Sequence, residues 1–124
     1  MKTDALAVSI LAYVSLTAVA SADPAMLLTD KGGDRVLEYD IATGMFVGVS
    51  ASEDEHTGFD TPVSIEFLDG YVYVSATTSD VVGRYRLDDP FEAEVLVDKP
   101  TDGLGNPMGL TAGPDGRIYV ADEG

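Results

Sequence analysis

The side chains best placed to do chemistry in this chain are oxygen donors. Asp60 and Asn106 each stand just ahead of a Pro-led apolar segment, in Asp60-Thr61-Pro62 and Asn106-Pro107. Carboxylate and amide oxygens in such positions suit calcium or another hard divalent cation, which makes these two the candidate metal ligands. The same residue types are also favoured at turns, where they bond their own backbone. His56, the only imidazole, lies in the acidic stretch Ser52-Glu53-Asp54-Glu55-His56-Thr57-Gly58, and no second group is marked to share acid-base work with it. Asp30-Lys31-Gly32-Gly33-Asp34 lacks the further spaced ligands and terminal Glu of a helix-flanked calcium loop, and reads as a turn. Phosphate loops, a Ser-His-Asp spacing and paired-His metal motifs are absent. No catalytic set is visible.

Composition narrows the partners. With 22 acidic against 7 basic residues the formal charge is -15, and the basic residues are scattered, so nucleic-acid binding has no electrostatic footprint. The chain has no Cys, which excludes disulfides, thiolate metal sites and a Cys nucleophile. Lys2 precedes the uncharged run Ala5 to Ala22, which ends in Ala20-Ser21-Ala22 before Asp23. That layout is a secretory leader with a small-x-small cleavage site. Residues 1–22 are therefore expected to be removed, giving a secreted or periplasmic protein with no membrane attachment after cleavage.

The elements that must position the oxygen donors repeat. A shift of 46 residues superposes Asp34 on Asp80, Val36 on Val82, Tyr39 on Tyr85 and Asp69-Gly70 on Asp115-Gly116. It also carries Leu28 to Val74 to Val120. Gly58-Phe59-Asp60-Thr61-Pro62 matches Gly103-Leu104-Gly105-Asn106-Pro107 at a shift of 45, and one extra residue near Gly113-Pro114 restores 46. The units are 23–61, 62–106 and 107–124.

Each unit reads as strands. In the second, Val63, Ile65 and Phe67 alternate with Ser64 and Glu66, Asp69-Gly70 makes a hairpin turn, and Tyr71 to Ser75 returns. Val81 to Leu87 and Ala93 to Val97 follow across Thr77–Asp80 and Asp88-Asp89-Pro90. These four strands, A to D, are expected in antiparallel order, with every Pro outside a strand interior. No helical periodicity follows Ala22. The fold class is all-β, and four strands per unit of this length describe a β-propeller blade.

Pro107-Met-Gly-Leu-Thr-Ala-Gly-Pro-Asp-Gly-Arg-Ile-Tyr-Val-Ala-Asp122 resembles the NHL repeat, and Asp34-Arg35-Val36-Leu37-Glu38-Tyr39-Asp40 resembles the strand that follows it. The resemblance extends over Met26 to Gly124. It implies a six-bladed, TolB-like propeller related to the gluconolactonase-like (SMP-30) hydrolases and streptogramin-lyase-like proteins. Activity of the first kind would bring a calcium- or zinc-dependent lactonase, and of the second a magnesium-dependent lyase with a working His. The favoured reading is a non-catalytic binding or scaffold surface.

About two and a quarter blades are present, because the first unit starts at strand B and the third stops after it. The chain is expected to be a fragment, with the missing blades of the same longer chain as its nearest partner. An open edge and an apolar flank then predict strand addition or aggregation. Antiparallel order places the B-to-C and D-to-A connections on one face. A small-molecule or protein ligand is expected there, among Asp30, Asp34, Asp80 and Asp122 from the first set and Glu53, Asp54, Glu55, His56, Asp60, Asp98, Asp102 and Asn106 from the second.

Overall fold

The computed structural model describes residues 5–7, 11–12, 25–52 and 58–124. The run before Ala25 contributes two short strands, β1 (Ala5–Ala7) and β2 (Leu11–Ala12). The first unit supplies β3 (Ala25–Asp30), β4 (Arg35–Asp40) and β5 (Phe46–Ser52). The second supplies β6 (Pro62–Leu68), β7 (Tyr71–Ala76), β8 (Val81–Arg86) and β9 (Asp89–Asp98). The one-turn helix α1 (Lys99–Asp102) leads to β10 (Pro107–Ala112) and β11 (Ile118–Asp122).

These strands form three separate sheets in the orders β2-β1-β3-β4-β5, β6-β7-β8-β9 and β10-β11. Every pairing from β3 onward is antiparallel. The alternating β-branched and aromatic residues account for the strands. Asp69 (φ 52°) and Gly70 (φ 82°) make the tight turn between β6 and β7, because a two-residue hairpin with right-handed strand twist needs positive φ at both central positions. Between β10 and β11 the extra residue enlarges the turn, which closes through Gly113 N–H to the Arg117 carbonyl at 2.7 Å.

The sequence repeat is also a repeat of register. Leu28 faces Leu37 across β3 and β4, and Val74 faces Gly83 across β7 and β8, 46 residues on. The irregularity between Val36 and Leu37 recurs between Val82 and Gly83, and the one after Pro62 recurs after Pro107. Bulges at matching places give the sheets matching local bends.

The packing between sheets repeats residue by residue. Leu27, Val36, Ala51 and Phe59 from the first sheet and its following loop cluster with Ile65, Val72, Val74 and Tyr85 from the second. Between the second and third sheets, Val82, Leu104 and Leu110 form the centre, flanked by Tyr73, Val97, Ile118 and Val120. The shift of 46 turns Leu27 into Tyr73, Val36 into Val82, Ala51 into Val97, Val72 into Ile118 and Val74 into Val120. The shift of 45 turns Phe59 into Leu104 and Ile65 into Leu110. One interface is therefore built twice, and burial of its apolar surface is the main force holding the sheets face to face.

Three details depart from the sequence-based expectation. β9 begins at Asp89, so Pro90 stands inside a strand, which is tolerated because β9 is the edge strand of its sheet among the described residues and a proline there has no N–H to offer a ladder. A helical turn forms at 99–102, closed by Gly103 N–H to the Lys99 carbonyl at 3.0 Å. β1 runs parallel to β3, on the side of β3 away from β4.

Candidate functional site

The B-to-C and D-to-A connections do lie together, held by a pair of equivalent carboxylates. Asp34, in the turn from β3 to β4, accepts the Thr61 backbone N–H at 2.8 Å. Asp80, in the turn from β7 to β8, accepts the Asn106 backbone N–H at 2.6 Å. All four residues have positive φ, with Asp34 at 52° and Asp80 at 54°, Thr61 at 58° and Asn106 at 59°. Asp and Asn tolerate that region through local polar bonds, whereas a β-branched Thr is strained there. Each carboxylate thus pins the approach to the first strand of the following sheet.

Further bonds join neighbouring sheets nearby. Thr29 donates its hydroxyl to the Val63 carbonyl at 3.2 Å, and its counterpart Ser75 donates to the Met108 carbonyl at 2.8 Å. Ser64 and Glu66, both buried, accept the backbone N–H groups of Leu110 and Ala112 at 3.2 Å and 3.1 Å. The alternation in β6 suggests a solvent face for Ser64 and Glu66; the third sheet covers them, and their oxygens bond the strand that does so.

The electrostatics of this face come from close pairing. The Asn106 N–H, followed by the Lys99 ammonium at 3.3 Å, holds the Asp80 carboxyl below the ordinary carboxylate range. The Arg35 guanidinium, 2.8 Å from Asp30, does the same there, helped by the Gly33 N–H at 3.1 Å. The Asp30–Asp34 segment is therefore a turn braced by its own arginine, as its sequence suggests. Deeper between the sheets, burial pushes the Tyr85 phenol well above its usual value while its oxygen shares a 2.9 Å bond with Ser50.

The two candidate ligands occupy different repeats of this face. Asp60 Oδ1 accepts the Thr61 hydroxyl at 3.0 Å, and Asn106 Nδ2 donates to Glu123 Oε2 at 3.0 Å. Asp122 accepts the Gly105 N–H at 3.1 Å, and Asp102 accepts the Asp98 N–H at 3.2 Å. Glu53, Asp54, Glu55 and His56 lie outside the described residues, as does the cleavage site at Ala20–Ala22. Among the described residues no group of three His, Asp or Glu side chains is arranged to hold a metal, and no helix is long and apolar enough to cross a membrane. The bonds through Asp34 and Asp80 were available to sequence reasoning in one respect: both residues sit at the repeat period and both precede a strand.

No family model matches the chain, and no curated protein does. A computationally designed protein, Ika4, is similar over 80% of this chain, with 16% identity and a TM-score of 0.42. The chain spans 65% of the length of that protein.

Proposed function

We propose that this chain is part of an exported β-propeller of the NHL type, acting as a scaffold that presents a binding surface. The twice-built interface between sheets carries the reading, since blades that pack by one repeated contact are how such rings grow. The binding surface is the face where Asp34 and Asp80 meet the following strands, because its connections are the longest and its carboxylates the most numerous. Export with cleavage after Ala22 would remove β1 and β2 and leave β3 as the innermost strand of its sheet. Blades elsewhere in a longer chain would then complete the ring.

The test is the intact mass and N-terminal sequence of the protein purified from its source, followed by lactone hydrolysis with and without a chelator. The reading expects a start at Asp23, a mass about two to three times that of this chain, as about six blades require, and no hydrolysis. A mass matching residues 23–124 alone overturns the ring. Chelator-sensitive hydrolysis overturns the scaffold and favours a metal-dependent lactonase.

A further inference from the structure

The second and third sheets each begin with a strand of their own repeat, β6 beside β7 and β10 beside β11. In the first sheet the equivalent place, beside β3, is filled by β1 from the leader, which also lies against β6 as β6 lies against β10. We propose that β1 and β2 are a temporary cap on β3, holding the place of a first strand until the leader is cut away. The cut rests on the export reading above; the cap rests on the strand pairing alone.

The cap protects an edge that is otherwise open. An uncovered β3 would present a row of unpaired N–H and C=O groups, a template for strand addition. β1 sets Ala5, Leu6 and Ala7 in register with Ala25, Met26 and Leu27, and β2 pairs with the far side of β1 through Leu11 and Ala12. The outer edge of the sheet is then β2, only two residues long. So short an edge strand is a poor template.

The same geometry makes the cap removable. Against β3, β1 pairs at three positions and runs parallel; against the equivalent β7, β6 pairs at six positions and runs antiparallel. Parallel pairing is the less stable per residue. Leu28, Thr29 and Asp30 have no strand partner on the β1 side among the described residues, whereas their equivalents Val74, Ser75 and Ala76 pair with Ile65, Ser64 and Pro62. The leader therefore covers half of β3. Only Asp23 and Pro24 separate the cleavage site from Ala25, so scission frees this edge without shortening β3.

The test is residue-resolved amide exchange on the full chain, unchanged and as Leu6→Pro, which removes an N–H from the middle of β1. The amides of residues 25–27 that do not pair with β4 should exchange about tenfold faster in the variant, as loss of a hydrogen-bonded neighbour implies. Amides of β7 should keep their protection and so report that the fold is intact. Leader peptidase added to the unchanged chain should cause the same loss at residues 25–27. Equal exchange of those amides in the two chains would overturn the cap, and protection that persists after cleavage would overturn its release. A chain that the peptidase leaves whole would overturn the release together with the export reading, while the variant still decides the cap.

Discussion

Val74 and Val120 offer the same side chain at the same place in successive repeats, with different cover. Val74 is fully buried between the first and second sheets, facing Ile65 on one side and Gly83 on the other. Val120 faces Leu110 across β10, has no strand on its second side among the described residues, and is half-buried. Replacing valine by alanine removes two methyl-sized groups, worth about 1.6 kcal/mol at roughly 0.8 kcal/mol each when fully buried. The cavity left in a rigid site adds up to about another 1 kcal/mol. Val74→Ala should therefore lower the unfolding free energy by about 2 kcal/mol, and Val120→Ala by about half as much because half its cover is absent. Urea unfolding followed by circular dichroism, with unchanged slopes, measures both. Equal losses, or a larger loss at position 120, would refute the claim that cover by a flanking strand sets the value of this repeated position.

Four further outcomes follow from named contacts. Tyr85→Phe should destabilise by about 1 kcal/mol by leaving the buried Ser50 hydroxyl unpaired, and a double-mutant cycle with Ser50→Ala should show that the two losses overlap. Because burial raises the folded-state pKa of Tyr85, stability is complete below the ordinary tyrosine value near about 10 and should fall as pH rises past it, a fall that Tyr85→Phe removes. Asp80 has the opposite sign: its folded-state pKa is lowered, so its contribution is present above about pH 4 and lost as the pH falls further, and Asp80→Asn should flatten the acid limb of urea midpoint against pH. Thr61→Asn, the residue used at the equivalent Asn106, should stabilise by about 1 kcal/mol in thermal unfolding by relieving a β-branched residue from φ 58°.

The repeat made much of the fold legible. The shift of 46 located strands within a residue or two for β4, β6, β7 and β8, because turn chemistry at Asp69-Gly70 and prolines at 62 and 107 punctuate the chain where the strands do. It did not reveal that both faces of the second sheet are covered. Ser64 and Glu66 are polar and alternate with Val63, Ile65 and Phe67, a pattern that ordinarily means one wet face. Their burial follows only once the third sheet is seen to use their oxygens as acceptors. Gly83 shows the same limit. The repeat places Leu37 at its equivalent, yet a β-carbon on Gly83 would come within 2.7 Å of the Phe59 ring, so the smaller residue there is dictated by a loop side chain from the preceding unit. The site was legible as an acidic loop face. Which carboxylates bind backbone was not, because that depends on the positive φ of Thr61 and Asn106, which Thr does not advertise.

The central claim, one unit repeated with one interface, is tested most directly by residue-resolved amide hydrogen exchange. Protection should recur at the 46-residue spacing along β3, β7 and β11, strongest in β7 where sheets cover both flanks, with the Thr61 and Asn106 amides protected alike by Asp34 and Asp80. Protection that ignores the repeat, or that marks Thr61 but leaves Asn106 in free exchange, would contradict it.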